Sequence, residues 1–569
     1  HGLPAAASSA SMPPTGSGVY RVAPQRLEGE DELERLAAEA AQPERPRGRP
    51  RTTLLLLAGL VVASVVVVSL RWVDKQRTEA IRALSEGAID AFDRDLYAGY
   101  KTAAEALEEI LERHDDDHPK TLARLAHVYA ILVGEHLERG QEGRLAAVLQ
   151  RAEAEAPDEA HTRAARGLST LASAEDPLVG ARAVADRLGP LAASDAESVP
   201  SFVDLTLGIA ELELGEVDAA RLRLREVADF MRSNVRARIW AAKAAASAGR
   251  LSTALREYTQ VTRAEPGHPG ALGGLALVHL ARGAPDEAAR ALERFEALES
   301  SGSRDISPKD RALAIFAKSE LHRVDGQEEA ADVEYEQARK LDPDNSDFPF
   351  ERGRGLLARD QLSEAIRLLT EAVEMAPSRW TYRIELAEAL MLDKRMEEAK
   401  VHLDVALDKA PRALRVALIR ARYLRRTQSP EVEAYLAREL PERFPSADVE
   451  IGLERGRYLR SAGKLTEARD VLADAIEAFA GRSQALQGDV LVSFGLVAQE
   501  MGKRYEAAEA YRAASRRGNL DALALLASLL STGTSKERAE ALSAGEKYLA
   551  AGRQLRRTDF VQKIVERLR

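Results

Sequence analysis

The chain has 569 residues, of which 30% are charged and only 5% aromatic, and its formal net charge is −10. It contains no cysteine, which excludes disulfides, thiolate nucleophiles and cysteine-ligated zinc. A net negative charge does not indicate the basic surface that nucleic-acid binding needs, so we expect no nucleic-acid partner.

The first 51 residues are rich in Ala, Ser, Pro, Gly and charged side chains. A segment of this composition lacks the apolar residues that a packed core needs. We therefore predict a disordered tail over residues 1–51. Within it, only Leu27–Ala41 has the apolar spacing of a short amphipathic helix.

Thr52–Leu70 then runs for 19 residues without a charge. As a helix rising 1.5 Å per residue, it would span close to the roughly 30 Å hydrocarbon layer of a bilayer. Arg51 and Arg71 bracket it, and Trp72 suits the membrane interface. A buried globular helix would have one polar edge, and a cleavable signal peptide would have a shorter lead and an A-x-A site. We therefore predict a retained transmembrane helix over residues 52–72.

The orientation of this helix depends on the basic residues beside it. Four arginines precede the span closely and four basic residues follow it more loosely: Arg45, Arg47, Arg49 and Arg51, then Arg71, Lys75, Arg77 and Arg82. The denser cluster favours a cytoplasmic tail, with the remainder outside the inner membrane. A cytoplasmic remainder is the alternative. The 66 arginines against 15 lysines are typical of a GC-rich bacterial genome.

Beyond the span, alanines recur mostly in steps of 34 residues: Ala220, Ala254, Ala288, Ala331, Ala365, Ala399, Ala468 and Ala507. Twelve residues before each stands another small residue: Gly208, Ala242, Ala276, Ser319, Gly353, Ala387, Gly456 and Gly495. A fixed period of this size indicates a solenoid whose units bury apolar surface only against their neighbours. Small residues twelve apart allow the two helices of each unit to approach closely. We predict an all-α chain, with an α-solenoid of paired helices.

The repeats differ in clarity along the chain. We predict degenerate helical repeats over residues 73–200 and about ten clearer units over 201–555. A capping helix is expected over 556–569, with Phe560, Ile564, Val565 and Leu568 on its apolar side. Ser300–Pro308 adds residues typical of an exposed loop. Glu433 replaces an expected alanine, which predicts a bend or a shift of register in that unit.

Three stretches resemble the second helix and closing turn of the tetratricopeptide repeat family: EEAADVEYEQARKLDPDN, SEAIRLLTEAVEMAP and EEAKVHLDVALDKAP. Prolines in the closing turns repeat the 34-residue step at Pro343, Pro377, Pro411 and Pro445. The stretch around Asn519–Leu530 also resembles the related Sel1-type repeat. The resemblance implies that first helices line a concave groove for extended peptides or partner helices.

Apolar residues followed by basic ones mark the expected groove. The candidate partner-binding residues are Lys243, Arg354, Leu418, Arg422, Arg425, Arg426, Leu453, Arg457 and Arg460. Because residues three or four apart share a helix face, the arginines of two neighbouring units should lie together and bind acidic peptide groups as bidentate forks. The alternative is an ordinary solvated face paired with nearby glutamates. In either case we expect the fold to tolerate reversal of Arg422 and Arg457 to glutamate.

Two other patterns carry less weight. His114–His118 is dense in metal ligands, but contiguous residues rarely converge on one ion, and an inter-helix turn explains them. Gly353-Arg-Gly355-Leu-Leu-Ala358 fits a dinucleotide-loop pattern but follows no strand, so helix packing explains it better. We predict no catalytic residues, no cofactor and no metal.

Together these features predict a single-pass, membrane-anchored scaffold or adaptor for protein partners, in the bacterial cell envelope. One alternative is a binder of an anionic envelope polysaccharide, gripped by the same arginines. Another is a cytoplasmic-facing adaptor of a signalling or secretion complex. The partners, in the first case, are proteins with an acidic peptide or helix, together with the membrane through Thr52–Leu70.

Overall fold

The computed structural model describes residues 50–194, 201–377, 379–551 and 557–569. The predicted tail, with Leu27–Ala41 inside it, lies outside these residues except for Pro50 and Arg51, which begin a helix. The chain divides into two units, residues 1–76 and 77–569. Every regular element in the described ranges is helical, so the all-α prediction is confirmed.

The first helix, α1 (Pro50–Arg94), contains the apolar segment. Its side chains are exposed from Leu55 through Val73, and Ser64 Oγ donates a hydrogen bond to the Leu60 carbonyl at 2.8 Å. Within the part of the chain that is described, this is the one helix long and apolar enough to cross a bilayer. Its length and position suit a membrane span or a signal sequence.

Five helices of 14 to 18 residues follow α1. They are α2 (Tyr97–Arg113), α3 (Pro119–His136), α4 (Glu142–Glu155), α5 (Ala160–Ser173) and α6 (Pro177–Ser194). A single 3₁₀ turn, Arg139–Gln141, links α3 to α4.

Ten helical pairs follow in the described residues. The first five are α7 (Phe202–Glu213) with α8 (Val217–Phe230), α9 (Val235–Ser247) with α10 (Leu251–Ala264), α11 (Pro269–Ala281) with α12 (Pro285–Ser300), α13 (Pro308–Val324) with α14 (Glu328–Leu341), and α15 (Asp347–Ala358) with α16 (Leu362–Met375). The next five are α17 (Trp380–Leu392) with α18 (Met396–Lys409), α19 (Leu414–Arg426) with α20 (Val432–Ala434, Tyr435–Glu439 and Leu440–Arg443), α21 (Asp448–Ser461) with α22 (Leu465–Glu477), α23 (Gln484–Glu500) with α24 (Arg504–Ser515), and α25 (Leu520–Leu530) with α26 (Ser535–Ala550). The last helix is α27 (Thr558–Leu568).

The packing order makes the odd-numbered helices an inner layer. Within the ten pairs, each odd helix packs against the even helix that follows it, and most odd helices also pack against the next odd helix, as α11 packs against α12 and α13. The odd-numbered elements are therefore the first helices of a solenoid, and their shared surface is here called the first-helix face. This arrangement confirms the predicted α-solenoid.

The alanine repeat is the structural basis of each pair. All eight alanines of the 34-residue pattern have no exposed surface. Opposite them, a Cβ atom built at Gly456 would lie 2.5 Å from Leu472 Cγ, and one at Gly495 would lie 2.5 Å from Tyr511 Cε1. A second helix therefore inserts a large side chain into the space that the small residue on the first helix leaves open.

The turns between units also follow the repeat. Pro343 and Pro377 lie two residues beyond the ends of α14 and α16, where a residue that cannot continue the helix is favoured. The predicted insertion forms the end of α12 and the following loop. Its Ile306 is nonetheless buried.

The irregular unit at Glu433 is α20. The middle of this helix, Tyr435–Glu439, is a π-helix, which accommodates an extra residue per turn. The buried Tyr435 takes the space beside α19, and its hydroxyl donates to the Ala417 carbonyl at 3.3 Å. The irregularity predicted at Glu433 is therefore a π-helical segment in the second helix of this unit.

The C-terminal helix α27 packs on α26 and α25. Val561, Ile564 and Val565 are its buried residues. Phe560, which the sequence placed on the apolar side, is 49% exposed. The stripe is displaced by one residue because α27 turns Val561, and not Phe560, toward Tyr548 of α26.

Candidate functional site

The first-helix face of α17, α19 and α21 carries a chain of ion pairs. Arg422 lies on α19, with Glu388 of α17 on one side and Glu454 of α21 on the other. Its Nη1 is 2.5 Å from Glu388 Oε1, and its Nε is 2.9 Å from Glu454 Oε1. One guanidinium therefore connects three successive first helices.

A second arginine reaches the same carboxylate. Arg457, one turn after Glu454 on α21, places its Nη1 2.8 Å from Glu454 Oε1. Glu454 itself is only 2% exposed. The structure thus brings Arg422 and Arg457 together, as the sequence predicted, but a buried glutamate lies between them. We call Glu388, Arg422, Arg425, Glu454 and Arg457 the Glu454 cluster.

Charge pairing determines the ionisation state of this cluster. Burial alone would raise the pKa of Glu454, but the adjacent Arg422 and Arg457 hold that pKa below its usual value. Burial opposes the charge of Arg422 as well, yet Glu454 and Glu388 raise its pKa. Both groups are therefore charged at neutral pH, and each one offsets the desolvation cost of the other.

Arg425 is the member of the cluster with an unused donor. Its Nε is buried, and no acceptor in the described residues lies within hydrogen-bonding distance of it. Burial lowers the pKa of Arg425, Glu454 opposes this effect, and the neighbouring Arg426, Arg457 and Arg422 lower it further. An excess of positive charge therefore exists at this point of the first-helix face.

The other predicted basic residues lie apart from the cluster. Arg460 pairs with Glu500 of α23, Nη2 to Oε1, at 2.6 Å, and Arg354 pairs with Glu351 of its own helix at 3.0 Å. Lys243 lies over the Trp240 ring, 4.1 Å from its centroid. Arg460 and Arg354 are thus paired with glutamates, whereas Lys243 contacts an aromatic ring.

The two predicted apolar groove residues differ from one another. Leu418 is half-buried beside the α19–α20 core. Leu453 is 4% exposed and packs with Val449 and Leu472 in the core between α21 and α22. Its placement in the groove was wrong, because it turns toward the second helix instead of the first-helix face.

Both patterns set aside in the sequence have structural explanations. Gly353 and Gly355 lie inside α15, where an added Cβ would approach Leu369 at 2.9 Å and Arg323 Nη2 at 2.8 Å. These glycines provide space for side chains from neighbouring helices. His114 ends α2 and His118 caps α3, with its Nδ1 accepting from the Thr121 amide at 3.3 Å. The segment is an inter-helix turn, as expected.

Sequence reasoning missed the carboxylates of the cluster. Glu388 precedes Arg422 by 34 residues, which is one repeat, so the same spacing that identified the alanines could have paired them. Glu454 follows Arg422 by 32 residues, because it lies one helical turn before Arg457 on the next first helix. No exact repeat step indicated that contact.

Comparison with known proteins identifies a repeat family in two segments of the chain. Residues 245–297 and 356–423 match the model of the tetratricopeptide repeat family. No curated protein matches the sequence. Among solved structures, the chain is similar to one in the crystal structure of the APC/C hetero-tetramer Cut9–Hcn1, with 14% identity, a TM-score of 0.30, and coverage of 86% of this chain and 96% of that chain.

The family match extends over helices from α9 to α12 and from α15 to α19. It does not include Asn519–Leu530, whose resemblance to Sel1-type repeats stays a prediction. Helical pairs with the same buried alanines continue on both sides of the matched segments. The chain therefore contains tetratricopeptide repeats in the two matched segments, within a longer array of similar helical pairs.

Proposed function

We propose that the protein is a membrane-anchored scaffold of the bacterial cell envelope that holds partner proteins against its first-helix face. A long array of tetratricopeptide helical pairs and an exposed apolar helix in one chain carry this proposal. The domains would be a tail (1–51), a membrane helix (52–72), degenerate repeats (73–200), clearer repeats (201–555) and a cap (556–569). The solenoid would face the periplasmic side of the inner membrane.

The anchor rests on the surface of α1. Its apolar side chains are exposed in every direction from Leu55 to Val73, and a soluble helix of this length would expose a large apolar surface to water. Arg71 and Trp72 end the segment as residues at a membrane interface do. A lipid bilayer is therefore the environment that suits this part of α1.

Deleting Thr52–Leu70 is expected to move the protein from the membrane pellet to the soluble fraction after cell lysis, because this segment carries the anchor. Circular dichroism should show that the repeats remain folded. As a matched control, a leucine-rich segment of 19 residues in the same place should restore the pellet. A full-length protein already soluble, or a mature chain beginning beyond residue 70, would contradict the anchor.

The orientation of the solenoid is tested separately. Protease added to spheroplasts should digest the solenoid, and protection of the solenoid would indicate the cytoplasmic orientation.

Partner recognition is proposed to centre on Arg425, with Leu418, Arg422, Arg426 and Arg457 around it. Arg422 and Arg457 share the carboxylate of Glu454, whereas the Nε–H group of Arg425 has no acceptor among the described residues. A partner carboxylate paired with the Arg425 guanidinium would offset the local positive charge, and half-buried Leu418 would contact an adjacent apolar side chain. Arg354, Arg460 and Lys243 would contribute only at the margins, because each already has a partner.

Substituting Arg425→Gln is expected to weaken binding of an acidic protein partner by about tenfold or more, because a charge-assisted hydrogen bond contributes roughly 1.5–3 kcal/mol. The measurement is a titration of the partner that co-purifies with the full chain in detergent. Arg412→Gln, in the exposed loop before α19, is the matched control and should bind normally. Equal affinity of both variants at low salt would remove Arg425 from the binding surface. Binding of an anionic polysaccharide that falls steeply with salt would favour the polymer alternative.

A further inference from the structure

Helices far apart in the sequence meet end to end within residues 77–569. The C-terminal end of α1 contacts the beginning of α11, where His268 Nε2 donates to the Asp95 carbonyl at 3.0 Å. Beside this bond, Arg94 Nε lies 2.8 Å from Glu265 Oε1. The residues joined here are 173 and 171 positions apart, close to five repeats of 34.

The same step recurs further along the chain. At the end of α7, the Leu214 carbonyl accepts from Trp380 Nε1 at 3.2 Å, and Glu213 pairs with Arg379 at the beginning of α17. At the end of α3, the Gly134 carbonyl accepts from Lys309 Nζ at 3.4 Å. We call these end-to-end contacts the seam.

Two seam residues cap a pair of helices at once. Asn234 Oδ1 accepts from the Ala237 amide at 2.8 Å and so caps its own helix α9, while its Nδ2 donates to the Phe92 carbonyl of α1 at 3.0 Å. His268 does the same for α11 and α1 with its two ring nitrogens. Both residues are at most 3% exposed. Carbonyls that α1 leaves unsatisfied at its end are thereby satisfied from another part of the solenoid.

A buried ion pair lies at the centre of the seam. Arg236 Nε is 3.0 Å from Glu135 Oε2 and Trp240 Nε1 is 3.1 Å from the same oxygen. Arg236 is 1% exposed. Lys243 lies over the ring of this tryptophan on the first-helix face. The seam thus combines hydrogen bonds and charges with a few aromatic contacts, among them Phe92 against Phe202, with ring centroids 5.6 Å apart, and Trp380 against Gly215. Neighbouring pairs are joined mainly through buried alanines and leucines.

We propose that the seam is a reversible closure of the solenoid, which we call the latch. While the seam contacts are formed, the helices from α1 to α17 make a turn whose first-helix face is inaccessible from the side. When these contacts break, that face becomes accessible. Opening exchanges the polar contacts of the seam for water and exposes the aromatic contacts of Phe92 and Trp380, while the apolar contacts within and between adjacent pairs persist. Opening therefore separates the ends of first helices without unfolding the helical pairs.

The latch is tested by measuring distances across the seam. Arg139 and Asp344 form an exposed ion pair across it, and because the chain has no cysteine, Arg139→Cys with Asp344→Cys allows spin labels at these positions only. In the full chain in detergent, we expect one short distance. Adding Asn234→Ser, Glu213→Gln and Trp380→Phe, which remove seam contacts and retain the α9 cap, should produce a second, longer population. An unchanged distance distribution would overturn the latch.

Two controls separate opening from unfolding. Labels at Asp117→Cys and Arg151→Cys, which report a contact between adjacent pairs, should stay at one distance in both proteins. Asn519→Ser, a cap change between adjacent pairs, should leave the distance across the seam unchanged. Broadening of the 117–151 distance in the seam variant would indicate general unfolding and overturn the proposal.

Access to the first-helix face is measured by acetylation of Lys243 with acetic anhydride. We expect about a tenfold faster reaction in the seam variant, corresponding to a loss of about 1.4 kcal/mol of closing free energy. A disulfide between cysteines at 139 and 344 should restore the slow rate. Lys400, exposed on the second helix α18, should react equally in all proteins. No change at Lys243 would mean that the seam does not control access.

Discussion

Reversing Arg422 and Arg457 to glutamate is expected to destabilise α19 and α21 by about 3–5 kcal/mol, because both changes remove the arginines that pair with the buried Glu454 and place negative charges beside it. The structure therefore predicts the opposite of the sequence-based expectation that the fold would tolerate this double reversal. Glu454 Oε1 lies within 2.9 Å of both guanidinium groups, and Glu454 is almost completely buried. The arginines are therefore structural even though they lie on the candidate surface.

Native-state hydrogen exchange is the appropriate measurement, since a solenoid opens locally and a single unfolding free energy does not describe it. The amides of α19 and α21 should exchange faster in the double variant, while those of α7 and α8 should be unchanged. The matched control is Arg367→Glu on α16, where the guanidinium is 58% exposed. An exposed pair contributes at most about 1 kcal/mol. Equal effects of the two changes would contradict the role of the buried pair.

The same pair makes stability depend on pH. Because Arg422 and Arg457 lower the pKa of Glu454, its contribution is present above the ordinary carboxyl pKa and is lost as the pH falls through the lowered value. In an Arg422→Gln variant, burial raises the pKa of Glu454 with less opposition. Acid loosening of α21 should therefore begin at a higher pH in the variant than in the wild type.

Local packing could be predicted because the repeat encodes it. Ala365 and Gly353 stand twelve residues apart, and one 34-residue unit contains both helices that they join. The contacts of such a pair need only the sequence of one unit. The same local rule placed the proline turns and indicated an irregular unit at Glu433, although the π-helix itself depends on how Tyr435 packs against α19.

The candidate site could be predicted only in part. Helical spacing correctly placed Arg422 and Arg457 on one face, but it did not show that Glu454 lies between them. Leu453 was misplaced because an apolar residue on a first helix can turn to either of two neighbours. The seam was missed altogether, since Asn234 and His268 have the sequence of ordinary helix caps. Their second contacts, 142 and 173 residues away, depend on the winding of several repeats, which no single unit determines.

Truncating Leu369→Ala is expected to destabilise the α15–α16 pair by about 2–5 kcal/mol, because the side chain is fully buried and its loss leaves a cavity between the helices. The exposed Leu222 on α8 provides the matched control, and Leu222→Ala should change little. Hydrogen exchange should accelerate in α15, α16 and their immediate neighbours, while α24 around Ala507 should remain protected. Uniform acceleration along the whole chain would indicate one globular core and contradict the solenoid description.

A double variant tests the contact itself. Gly353→Ala alone should be destabilising, since the new Cβ would lie 2.9 Å from Leu369 Cγ. Combined with Leu369→Ala, the same methyl group enters the space that the leucine vacated, and alanine also favours the helix by about 1 kcal/mol over glycine. The double variant should therefore be more stable than Leu369→Ala alone, giving a coupling free energy of about 0.5–3 kcal/mol. Strictly additive effects would mean that Gly353 and Leu369 do not pack against each other, and the small-to-large contact inferred for every unit would lose its support.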